Sequence, residues 1–165
     1  MTRSEGKSLR SFPWHVFLIA LFSPLAFYTN NIYEVTSNLI WRPLIFSIAI
    51  GGIMLILFQA IFRNLKKAGI ATVIFQLIFF SYGHIYQLID GLEIFGFQIG
   101  RHRFLSLLSI ILFIFALWLI TKKLQDLNGI NIILNIIFAV MVILQIGRIA
   151  TYEMQSYLAV RNDKN

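Results

Sequence analysis

The 165-residue sequence contains no cysteine, which excludes a disulfide framework, a thiol nucleophile and a thiolate metal site together. It is poor in charge: 13% of its residues are charged and 58% are hydrophobic, against about 25% and about 45–50% in an ordinary soluble domain. It has only three prolines. Missing too are a Ser-His-Asp arrangement, a glycine-rich phosphate loop and a pair of catalytic carboxylates, so the residues offer no catalytic site. The net charge of +7 raises nucleic acid as a partner. However, the basic residues form short clusters between apolar blocks and make no continuous stripe, which argues against it.

What the sequence does have is long apolar blocks, without the spacing that keeps one face of a soluble helix wet. A membrane-spanning helix needs about 20 mostly apolar residues, since the hydrocarbon core is about 30 Å thick. Five segments qualify or nearly so: Trp14 to Tyr28, Pro43 to Phe62, Ala68 to Ile89, Phe104 to Ile120 and Ile130 to Ile146. The expected fold is therefore all-α, an integral membrane bundle of about five transmembrane helices. Residues 1–13 form a basic N-terminal segment, 14–146 the helical domain and 147–165 a C-terminal tail. Arg3, Lys7 and Arg10 before a short apolar run also describe a signal peptide, but Leu25-Ala26-Phe27-Tyr28 offers no small-x-small cleavage site, which favours a retained helix.

Lysine and arginine set the orientation, because cytoplasmic loops carry their excess. With the N-terminus inside, eight basic residues are cytoplasmic (Arg3, Lys7, Arg10, Arg63, Lys66, Lys67, Lys122, Lys123) and six are external (Arg42, Arg101, Arg103, Arg148, Arg161, Lys164). The same arrangement puts two acidic residues inside (Glu5, Asp126) and five outside (Glu34, Asp90, Glu93, Glu153, Asp163). Both distributions favour N-in/C-out. The outer connections, from Asn30 to Arg42 and from Asp90 to Arg103, are the longer and chemically richer ones.

This topology gathers polar groups distant in sequence at the outer boundary: Tyr28, Asn31, Glu34 and Arg42 around the first connection, Ser81, Tyr82 and His84 near the end of the third helix, and Arg101, His102 and Arg103 at the start of the fourth. They are the candidate binding residues. His84 falls within the apolar span, where an ionisable group is costly unless partnered. It is either a polar or proton-accepting site with Tyr28, Asn31, Glu34 or Arg101 as partner, or a histidine snorkelling to the interface. Arg101-His102-Arg103 suits an anionic lipid head group or acidic substrate, and equally the anchoring of a helix end. His15 lies at the opposite boundary from His84 and His102, so the three histidines make no metal site. No cofactor is expected. Within the bilayer, Ser47 and Gly51 with Gly52 give a small-residue face for close packing, and Gln59, Gln76, Asn131, Asn135 and Gln145 are available for bonds between helices. Pro24 allows a bend in the first helix.

Taken in order, His15-Val16-Phe17-Leu18, Tyr28-Thr29-Asn30-Asn31 with Glu34, Arg42-Pro43, Phe79-Phe80-Ser81-Tyr82-Gly83-His84 and Gly100-Arg101-His102-Arg103-Phe104 resemble a known pattern. It is the N-terminal membrane region of bacterial sulfatase-like membrane proteins of the alkaline-phosphatase superfamily. The resemblance runs from Trp14 to Ile146 and implies a multi-pass protein of the bacterial cytoplasmic membrane. In that family the helices precede a large extracytoplasmic hydrolase domain. This sequence stops about twenty residues after its last apolar segment, so the nucleophile and metal motifs of that domain are absent and no catalytic activity carries over. The leading expectation is a non-catalytic module that anchors or supports such a domain, separately encoded, at the outer face. The alternative is a protein that binds or transports a lipid or lipid-linked small molecule through the outer polar residues.

Overall fold

A computed structural model describes residues 12–94, 97–98 and 101–162. The basic residues Arg3, Lys7 and Arg10, with Glu5, Gly100, Asp163 and Lys164, lie outside the described residues. The described residues form five α-helices: α1 (His15–Asn30), α2 (Trp41–Phe62), α3 (Leu65–Ile89), α4 (His102–Lys122) and α5 (Leu127–Asn162). A 3-10 turn, Ser37–Leu39, precedes α2. In the connection between α3 and α4, strand β1 (Glu93–Ile94) pairs antiparallel with β2 (Phe97–Gln98).

Among the described residues, four helices are long and apolar enough to cross a membrane. With 22, 25, 21 and 36 residues, α2 to α5 span about 33, 38, 32 and 54 Å at 1.5 Å per residue. Helix α1, with 16 residues, reaches only about 24 Å. Each expected apolar segment coincides with one helix. Only the C-terminal tail differs in kind, since α5 continues as helix through Gly147 and Arg148 to Asn162. Hydropathy ends at Ile146, but nothing between Gly147 and Asn162 breaks a helix: no proline occurs there.

The turns follow from local chemistry. Helix α2 ends at Arg63, which takes the left-handed conformation at φ 50° and returns its N–H to the carbonyl of Gln59. Asn64 then caps α3, its Oδ1 accepting from the backbone N–H of Lys66 and Lys67. Asp126 does the same for α5, accepting from the Gly129 N–H at 2.8 Å. At this end Lys66 also bonds Asn128, joining the α2–α3 and α4–α5 turns.

Helix α1 packs on α5, α2 and α3, and α3 also meets α2, α4 and α5. The short helix therefore sits inside the bundle. Along α3, Ala68 to Val73 are buried in succession, which only small side chains such as Ala68, Gly69, Ala71 and Thr72 allow. Gly51 marks the closest approach of α2: a Cβ there would meet Gln76 Nε2 of α3 at 2.7 Å and Val16 of α1 at 3.6 Å, whereas at Gly52 it would meet nothing. The core comprises Val16, Ile19, Leu55, Phe58, Ala71, Val73, Ile120 and Phe138 among others.

The surface inverts the rule for soluble proteins. Large apolar side chains are exposed along α2 (Ile45, Phe46, Ile56), α4 (Leu107, Ile111, Phe115) and α5 (Ile133, Val140, Leu144), while His15, Thr29, Ser47, Thr72, Gln76 and Asn131 are buried. Water would not stabilise so much apolar exterior; hydrocarbon does.

Candidate functional site

Helix α3 decides the arrangement at the end of the bundle that carries the α3–α4 connection, labelled outer after the expected orientation. Successive residues of a helix turn by about 100°, so Leu77, Ser81, His84 and Gln87 occupy one side and Phe75, Phe79, Tyr82 and Tyr86 another. The two sides border different cavities.

The first is a cleft of about 670 Å³ enclosed by α1, α2, α3 and α5. Phe22, Phe27, Phe80 and Phe138 supply apolar walls, and Pro24 and Met141 complete them. Polar groups come from Ser23, Asn30 and Asn31 of the first helix and its end, from Ser47 of α2, and from Ser81, His84 and Gln87 of α3. Asn31 is held by its own helix end, Nδ2 donating to the Phe27 carbonyl at 2.8 Å. Such a mixture of aromatic walls and few polar groups is the composition of a small-molecule site.

The second is a groove of about 280 Å³ between α3 and α4, lined by Phe75, Ile78, Phe79, Ile110 and Phe113 with Tyr82, Ser106 and Ser109. Its outer end is built around His102. The Tyr82 hydroxyl lies 3.2 Å from His102 Nδ1 and 3.3 Å from its carbonyl. Tyr86 stacks on the same imidazole, centroids 3.9 Å apart and planes 8° from parallel.

The polar residues expected to form one outer cluster are thus divided. Asn31, Ser81 and His84 share the cleft, and Tyr82 and His102 belong to the groove. Tyr28 is buried beside Ser37, Tyr152 and Glu153. Glu34 and Arg42 are exposed, as are Arg101 and Arg103. His84 is exposed on the cleft rim and has no hydrogen-bond partner among the described residues. Of its four expected partners only Asn31 shares a cavity with it, because Arg101 is on the far side of α3 and Tyr28 turns toward α5.

The tightly bound histidine is instead His15, fully buried at the opposite end of the bundle. Asn135 Oδ1 accepts from its backbone N–H at 2.7 Å and lies 2.9 Å from its Nδ1. Asn135 Nδ2 in turn donates to the Phe12 carbonyl at 3.1 Å, and Asn131 Nδ2 to the same carbonyl at 3.3 Å. Helix α1 has no side-chain cap of its own, so α5 caps it from outside, satisfying an N–H that a helix start leaves open. Gly69 makes the fit possible, since a Cβ there would lie 2.4 Å from Pro13 Cβ. A second link joins the same helices near the outer end, Thr29 Oγ1 donating to Gln145 Oε1 at 2.6 Å. The sequence signal for the inner link was the i, i+4 pair Asn131 and Asn135 on one face of an apolar helix. Gln76 is the remaining buried amide, and neither its Nε2 nor its Oε1 has a partner. No group of three or more potential metal ligands occurs among the described residues.

Comparison with protein-family models, with known proteins and with solved structures finds no match. The geometry of the sites must carry the functional reading.

Proposed function

We propose that this is a multi-pass protein of a cytoplasmic membrane, N-in/C-out with five crossings, and that it binds an amphiphilic small molecule in the cleft between α1, α2, α3 and α5. The observation that carries this reading is the cleft itself: about 670 Å³, aromatic walls, and Asn31, Ser81 and His84 among its polar lining. A polar rim above apolar walls fits a lipid or lipid-linked molecule, with the polar part bonded by His84 and Asn31 and the chain against Phe22, Phe80 and Phe138. The reading is one of binding or transfer of such a molecule.

A second reading, support of an extracytoplasmic sulfatase-like domain or another partner, draws on α5. The helix exceeds the hydrocarbon thickness by about 24 Å, and its outer part meets the first connection through Tyr33 and Tyr152, ring centroids 5.2 Å apart. Tyr33 is nevertheless 87% exposed, leaving a surface for a partner.

The test is lipid mass spectrometry on protein purified in mild detergent. A defined amphiphile should co-purify with the wild type and be lost from Ser81→Phe, which fills the cleft, and weakened in His84→Leu. Retention by Ser81→Phe would refute the cleft as its site.

A further inference from the structure

The groove between α3 and α4 is separate from the cleft and has its own chemistry. We propose that it holds one anionic phospholipid, an acyl chain lying against Phe75, Phe79 and Phe113 and the phosphate meeting Arg103 and Arg101. Three observations lead there. The groove is almost wholly apolar, and between Phe75 and Tyr82 it runs about 10 Å along the helix axis, the scale of a chain segment and not of a head group.

The outer end is capped by polar groups at the boundary, where a head group sits: the Tyr82 hydroxyl is 3.2 Å from His102 Nδ1, with Tyr86 stacked on the ring. Finally, charge at that end is unspent. Arg103 lies one turn outward of Ser106, which lines the groove, with Ser106 Oγ donating to the Arg103 carbonyl at 3.2 Å. Arg101 adjoins it at the helix start. Both side chains are exposed and make no ion pair among the described residues. Asp90, the carboxylate at the end of α3, makes no ion pair with either arginine among the described residues, so both stay open to an external anion. A guanidinium is a strong phosphate ligand, and a long side chain at this depth extends toward the head-group layer.

Neither feature alone selects a ligand, because any membrane helix pair has lipid beside it and basic residues often anchor helix ends. Their coincidence predicts selectivity: chain and charge must come from one molecule. The experiment is native mass spectrometry of the full chain titrated with phosphatidylglycerol, phosphatidylcholine or inorganic phosphate. One saturable phosphatidylglycerol is expected, bound about tenfold more tightly than phosphatidylcholine. Replacing Arg101 and Arg103 together by glutamine should remove that preference, with thermal unfolding unchanged as the control for folding. Ser109→Phe, which fills the groove, should weaken both lipids, while the cleft variant Ser81→Phe should leave the preference intact. Equal binding of the two lipids by the wild type, an unchanged preference in the double arginine variant, or displacement of phosphatidylglycerol by inorganic phosphate alone would each overturn the proposal.

Discussion

Replacing His15 by alanine tests the inner link between α1 and α5, and the size of its effect can be worked from the structure. The side chain is 0% exposed, and its Nδ1 lies 2.9 Å from Asn135 Oδ1. A hydrogen bond between membrane helices contributes about 0.6 kcal/mol on average. Deleting a buried side chain of this size costs about 2–5 kcal/mol through lost packing and the cavity left behind. Against that, Nε2 is buried without a partner, and removing such an atom returns about 1–3 kcal/mol. The net expectation is a loss of about 2 kcal/mol. His84→Ala, at an exposed position, should stay within about 0.5 kcal/mol. Equilibrium unfolding in detergent micelles reads both. Combining His15→Ala with Asn135→Leu should be non-additive by about 0.5 kcal/mol or more, because the two residues share one bond. A His84→Ala loss equal to that of His15→Ala, or strict additivity in the cycle, would refute the reasoning.

Gly51→Ala should destabilise by about 1–3 kcal/mol through overpacking against Gln76, while Gly52→Ala, into open space, should be neutral or gain up to about 1 kcal/mol in helix propensity; the same unfolding assay compares them. Gln76→Met keeps the volume and removes two polar atoms that have no partner, so it should stabilise by about 1 kcal/mol or more, and a loss instead would show that the amide serves a bound water or ligand. Reporter fusions should place residues near Lys66 and Lys123 in the cytoplasm and residues near Gly96 outside, and a cytoplasmic signal at Gly96 would reverse the proposed orientation.

The helices were legible because their main requirement, a long apolar run, is written along the chain. Ala68 to Ile89 and Phe104 to Ile120 differ from α3 and α4 by three residues or fewer at each end. The extension of α5 to Asn162 escaped, since hydropathy reports where a helix leaves lipid and not where it ends. The division of the outer polar residues escaped for a different reason. Tyr82 and Ser81 are neighbours in sequence but about 100° apart around α3, and only the neighbours of that helix tell which side is a cleft and which a groove. The place of His15 at one boundary of the bundle can be read from sequence, because it precedes an apolar run directly. Its burial cannot, being a consequence of α1 lying at the centre of the bundle.

That central place also explains how a helix of about 24 Å can lie in a bundle whose other members exceed 30 Å, with a proline in its middle. Lipid would expose the mismatch and the carbonyl that Pro24 leaves unpaired, but α1 packs on three other helices with Pro24 buried, and there both are tolerated. It is fixed to one neighbour at two points, His15 to Asn135 and Thr29 to Gln145. Both contacts advance in the same direction along α1 and α5, so the two helices run parallel. Parallel α1 and α5 are what the proposed five-crossing arrangement requires. Ile19 to Asn31 of α1 and its end, with Phe138 and Met141 of α5, form two walls of the cleft, so the two hydrogen bonds tie together the helices that border it.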